Sequence, residues 1–94
     1  MSPHRLIATR RPVPGESNDA YEALWERVRE AVTTAGGHAW RFRSPTRAGL
    51  YLEFIESRAL DTVLSAESVA DARRALDAAF APATSEEWEE VTSS

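Results

Sequence analysis

The sequence predicts a small α+β fold of order β-α-β-β-α-β, with a four-stranded antiparallel sheet and two helices on one of its faces. Three observations lead there. Between Tyr21 and Ala35 apolar side chains recur at steps of three and four, the period of a helix with one buried stripe. Two runs of strand formers, His38 to Ser44 and Leu50 to Glu56, flank Pro45-Thr46-Arg47-Ala48-Gly49, a turn of hairpin length. A second helical stretch, Arg58 to Ala81, then runs into Pro82, which cannot continue it.

His4 to Arg11 reads as the first strand: Leu6, Ile7, Ala8 and Thr9 form a short apolar run that Pro12, Pro14 and Gly15 end. Ser17, Asn18 and Asp19 offer side-chain oxygens to the unpaired amides of a helix start, and Asp19 with Glu22 has capping-box spacing. Tyr21, Leu24, Trp25, Val28, Ala31, Val32 and Ala35 then share one stripe, and Gly36-Gly37 supplies its end. The hairpin follows. In the second helix Leu60, Val63 and Leu64 make one turn. Val69, Ala72, Leu76, Ala79 and Phe80 continue after a break expected near Ser65 to Ser68, where serine would re-cap it. Trp88 and Val91, in an acidic tail, are read as part of a short last strand.

The 94 residues suit one domain, 1–94, whose residues 82–94 form that strand or a tail. A domain of this size leaves much of its surface uncovered, so a second copy of the chain is an expected partner. Apolar residues at 43% and charged residues at 28% describe a folding chain and not a disordered one. There is no cysteine, which removes disulfides, thiolate metal sites and cysteine nucleophiles. His4 and His38 are the only histidines and do not cluster, so no metal is expected. No G-x-S-x-G elbow or phosphate-binding glycine loop is present. No cofactor is expected either. All 11 basic residues are Arg, a bias typical of GC-rich bacterial coding. A net charge of −4 disfavours nucleic acid and anionic lipid. No apolar run approaches the about 18 residues of a membrane span, and the cytoplasm is the expected location.

Alternation divides the hairpin into two sets. Trp40, Phe42, Leu50, Leu52 and Phe54 form one, and Arg41, Arg43, Tyr51, Glu53 and Ile55 the other. The first is wholly apolar and is expected under the helices. The second is then expected on the open face. There Arg41, Arg43 and Glu53 are either cross-strand partners in water or, with Tyr51, the lining of a small-molecule site. Trp25 and Trp40 are expected in the core, and Trp88 is free to dock on its own sheet or on a neighbour.

The element order, the strand Leu52-Glu53-Phe54-Ile55-Glu56-Ser57 running into a long Ala/Arg helix, and the terminal Glu86-Glu87-Trp88-Glu89-Glu90-Val91 together resemble the dimeric α+β barrel superfamily. That superfamily has a ferredoxin-like fold and includes antibiotic-biosynthesis-monooxygenase-like proteins. The resemblance implies a homodimer whose two sheets face each other, with a hydrophobic or aromatic molecule held between them. If the protein is an enzyme, it implies a cofactor-independent monooxygenase in which Arg41 or Arg43 steadies an enolate and Tyr51 or Glu53 handles a proton. The haem-degrading branch places an Asn near its substrate, whereas the one asparagine here, Asn18, stands at a helix start. An RNA-recognition-motif-like domain shares the element order, and Arg47, Tyr51, Leu52 and Phe54 match part of its third-strand signature. Ala48, Gly49 and Leu50 break that signature, and the first strand has no aromatic residue.

Overall fold

The computed structural model describes residues 3–91. The first strand, β1 (Arg5–Pro12), leads through a single turn of 3-10 helix at Gly15–Ser17 into α1 (Asn18–Thr34). Ser17 occupies the cap position without a side-chain hydrogen bond. The capping box expected of Asp19 and Glu22 is not formed, and Glu22 instead pairs with Arg41. The far end of α1 follows the sequence. Gly36 takes φ +95°, its N–H bonds Thr33 O at 3.1 Å, and the N–H of Gly37 bonds Val32 O at 2.9 Å. This is the crossed pair of bonds of a glycine-closed helix.

β2 (His38–Arg43) and β3 (Leu50–Ser57) form the hairpin. The second helical stretch divides into α2 (Leu60–Ser65) and α3 (Glu67–Ala79). The break falls where it was expected, but Ala66 makes it by turning to an extended conformation, ψ 131°, and no serine side chain caps α3. β4 (Thr84–Glu89) completes the sheet. Residues 92–94 of the anticipated tail lie outside the described residues.

The strands stand in the order β2-β3-β1-β4, every neighbouring pair antiparallel. Tyr21, Trp25, Val28 and Val32 of α1 and Val69, Ala72 and Leu76 of α3 pack with Leu60 and Val63 of α2 over Tyr51 and Ile55 of the sheet. Each such large apolar side chain contributes about 1.5–3 kcal/mol when fully buried. Gly37 fits because a side chain there would approach Val32 and Val63 Cγ1 to 3.0 and 3.2 Å and Glu56 O to 3.2 Å.

The two faces of the sheet are exchanged relative to the expectation from alternation. The helices cover Thr9, Arg11, Tyr51, Glu53, Ile55 and Ser57, all buried. The apolar set is on the open side, where the register aligns Trp40, Phe54, Ala8 and Glu86 in one row and Phe42, Leu52, Arg10 and Thr84 in the next. Trp40 is 37% exposed, Phe42 59% and Trp88 58%, so Trp40 is not a core residue, whereas Trp25 is. The physical reason is that Arg11, Glu53, Tyr21 and Tyr51 beneath the helices find hydrogen-bond partners there. Burial of a polar group is tolerable once its hydrogen bonds are made.

Candidate functional site

Beneath the helices, Arg11 and Glu53 lie on adjacent strands with 3% and 6% of their side chains exposed. Arg11 Nε donates to Glu53 Oε2 at 2.9 Å, its Nη1 donates to Phe80 O at 2.9 Å, and its Nη2 donates to Asp77 Oδ1 at 2.9 Å. Tyr21 Oη donates to the same Glu53 oxygen at 2.7 Å. Tyr51 Oη donates to Asn18 Oδ1 at 3.0 Å. These bonds tie β1, β3, α1 and the end of α3 through one guanidinium and one carboxylate. A void of about 20 Å³ beside them, bordered by Thr9, Arg11, Glu53 and Asp77, has room for one water molecule and not for a substrate.

Burial, and next the hydrogen bond and negative charge of Glu53, hold the Tyr21 hydroxyl well above its ordinary value near 10, with Arg41 opposing. The folded state therefore keeps the proton that the unfolded chain releases first. The stabilisation is complete below about pH 10 and is lost as pH rises from there through the folded-state value. Thermal unfolding followed from pH 8 to 11.5 is expected to show a steeper alkaline fall for the wild type than for Tyr21→Phe. Equal slopes would place the alkaline sensitivity elsewhere.

Of the residues the sequence singled out, Glu53 and Tyr51 lie under the helices, and Arg41 lies between α1 and the sheet, paired with Glu22. Arg43 reaches the mouth of a large cavity. That cavity, about 380 Å³, lies at the hairpin end of the open sheet face. Phe42, Leu50 and Leu52 form its apolar floor, and Arg10, Arg43 and Arg47 stand around it. Among the described residues, none of these three guanidiniums makes an ion pair. Its volume is in the range of small-molecule pockets, about 300–1,000 Å³. Tyr51 also borders it. Arg10 and Arg47 stand outside the hairpin set that alternation singles out. The signal for Arg10 was available, since it alternates with Leu6 and Ala8 on one side of β1.

On the opposite end of the same face, His4 Nδ1 meets Glu56 Oε2, and Arg58 Nε donates to His4 Nε2 at 2.9 Å. Among the described residues no three His, Cys, Asp or Glu side chains converge as a metal site would require, and no helix is long and apolar enough to cross a membrane.

No family model and no curated protein matches the chain. Solved structures match it over almost its full length. A conserved protein from Methanosarcina mazei Go1 superposes with a TM-score of 0.81 at 9% identity, covering 96% of this chain and 95% of that one. An antibiotic biosynthesis monooxygenase gives 0.72 at 17% identity, covering 94% and 99%. SnoaB, a cofactor-independent oxygenase from Streptomyces nogalater, gives 0.72 at 16% identity, covering 99% and 96%. At such identities the likeness is one of fold. The chain has the ferredoxin-like α+β fold of the antibiotic-biosynthesis-monooxygenase-like structures, as its element order suggested.

Proposed function

We propose that the protein is a homodimer that binds a small aromatic or hydrophobic anion where its sheet faces another. The carrying observation is the cavity at the hairpin end of the open face: three guanidiniums, without ion partners among the described residues, around an apolar floor. Such a site matches a ligand with a flat apolar body and a carboxylate or phenolate, since a guanidinium donates two parallel hydrogen bonds to such an oxygen pair. The second copy is supported by the face itself. Trp40, Phe42 and Trp88 lie exposed on one sheet surface, the kind of contiguous apolar patch that marks an association surface. Arg10 offsets Glu86 on that surface, so two copies meet without a large like-charge penalty. The same face carries aromatic rings that bases stack upon, so single-stranded RNA is the other outcome to be examined.

Native mass spectrometry of gently purified protein is the first test. A dimer is expected, and Phe42→Glu, which sets a carboxylate in the middle of the apolar rows, is expected to yield monomer. A wild type that stays monomeric at about 100 μM, or binds single-stranded RNA as a monomer, would overturn the dimer reading. For the ligand, 1-naphthoate serves as probe and 1-methylnaphthalene as its neutral counterpart. Charge-assisted bonds are worth about 1.5–3 kcal/mol, so Arg43→Ala or Arg10→Ala is expected to weaken naphthoate binding by roughly tenfold or more. Equal binding of the neutral hydrocarbon would remove the anion from the proposal.

A second reading is favoured by one finding: the fold neighbours include an enzyme described as a cofactor-independent oxygenase. In that reading Arg43 holds the ligand as its phenolate while dioxygen attacks the ring. With 1-naphthol as probe, the balanced reaction takes one dioxygen, turns the para C–H into a second C=O and releases water. Oxygen uptake matched to quinone formation would establish it.

A further inference from the structure

A second site is written in the aromatic residues around Arg41. The central carbon of its guanidinium lies 5.2, 5.4 and 5.6 Å from the ring centroids of Tyr21, Trp25 and Tyr51. Three aromatic faces converging on one positive charge form the arrangement that recognises organic cations. The walls are fixed before any ligand arrives. Tyr21 and Trp25 stand one turn apart on α1, all three rings are buried, and the two tyrosine rings touch at 4.6 Å. Both tyrosine hydroxyls are already committed, to Glu53 and to Asn18, which sets the ring planes. The buried carboxylate of Glu53 lies beside the cage, accepting from Tyr21 Oη, and favours positive charge within it.

Arg41 is a poorly satisfied occupant. Its Nη1 is buried without a hydrogen-bond partner among the described residues, in a protein interior where almost every such donor is paired. Among the described residues its one ion pair is to Glu22, whose side chain is 43% exposed. Arg41 itself lies on β2, an edge strand of the sheet, with 23% of its side chain in contact with solvent. A long flexible stem at an edge, held by one half-exposed carboxylate, has a path out that does not require the helices to part.

We propose that the Tyr21–Trp25–Tyr51 cage is a binding site for a small organic cation, and that Arg41 is its displaceable internal ligand. A free cation of about guanidinium or tetramethylammonium size competes with the arginine for the same three ring faces. Its apparent affinity is lowered by the fraction of molecules in which Arg41 occupies the cage. Tyr51 is the one residue this site has in common with the lining of the anion cavity, and its test does not depend on that proposal.

The test titrates the protein with tetramethylammonium chloride, against sodium chloride at equal ionic strength, and follows the indole N–H of Trp25 by proton–nitrogen NMR. Arg41→Ala empties the cage, Glu22→Gln loosens the tether, and Arg41→Met fills the space with an uncharged chain. The expected order of affinity is Arg41→Ala, then Glu22→Gln, then wild type, with the first at least about tenfold above the last and Arg41→Met unresponsive. A folded Arg41→Ala whose Trp25 signal does not saturate would overturn the proposal. If Arg41→Ala does not fold, Glu22→Gln decides, because it alters only a surface partner: a response no greater than the wild type's overturns the proposal equally.

Discussion

Glu53→Ala is expected to lower the unfolding temperature by roughly 12–24 °C. The substitution leaves the Arg11 guanidinium, 3% exposed, facing the space its carboxylate filled, and takes the acceptor from the Tyr21 hydroxyl as well. Removing one member of a buried ion pair typically costs about 3–5 kcal/mol. In a domain of this size each kcal/mol moves the midpoint by about 4–8 °C, so the lower bound of that range already gives the stated shift. Arg11 retains Phe80 O and Asp77, but Asp77 is largely exposed and replaces little of what is lost. The informative control removes the charge on both sides. Arg11→Met with Glu53→Leu and Tyr21→Phe is expected to recover most of the stability, because an apolar replacement of a buried pair is often neutral. A triple variant as unstable as Glu53→Ala would assign the loss to packing and not to an uncompensated charge. Circular dichroism melts of the three proteins are sufficient.

Gly49→Val is expected to be the next most damaging single change, at about 3 kcal/mol or more. Gly49 has φ +78°, a conformation that costs a branched side chain on the order of 1–3 kcal/mol. A β-carbon there would also lie 2.5 Å from the carbonyl oxygen of Val13. That oxygen belongs to backbone held close by the bond from Val13 N–H to Gly49 O at 2.6 Å, so it cannot turn aside as a side chain would. The bond fastens the hairpin turn to the segment between β1 and α1, beside the anion cavity. Gly49→Val is therefore expected to weaken naphthoate binding along with stability. By contrast Gly15→Ala, with nothing within 4 Å of an added β-carbon, is expected to leave the melting temperature within a few degrees of the wild type. A Gly49→Val protein that melts like Gly15→Ala would show that the turn can rearrange freely.

The element order was legible because each signal was local. Apolar steps of three and four gave α1, Gly36 gave its end, Pro and Gly bracketed the hairpin, and Ser65 to Ser68 marked the division of the second helical stretch. Trp88 earned β4 its place by being too apolar for a solvated tail. The faces of the sheet were not legible. Alternation separates Arg41, Arg43, Tyr51 and Glu53 from Trp40, Phe42, Leu52 and Phe54, but does not say which set receives the helices. The purely apolar set looked like the core only while each strand was read alone. Arg11, 42 residues from Glu53 in the sequence but on the adjacent strand, supplies the partner that makes Glu53 buriable, and Tyr21 on α1 supplies another. Such compensation is a property of pairs brought together by the fold, and no single-strand pattern displays it. The same limitation hid the anion cavity, since Arg10 and Arg47 join Arg43 only when β1 lies against β3.

The central position of β1 carries one further implication, for the order in which the chain is made. β1 precedes both strands that flank it, β3 on one side and β4 on the other. A nascent chain that has emerged only as far as α3 can pair β1 with β3, yet the other edge of β1 still presents its row of unpaired amides and carbonyls until Thr84–Glu89 arrives. An open edge of this kind recruits any extended segment within reach. β4, with Glu86, Glu87 and Glu89 along six residues, closes it with a strand whose charge discourages another from adding outside. Synthesis thus passes through an interval of adhesiveness that ends with the last strand, and truncation before Thr84 would make that interval permanent.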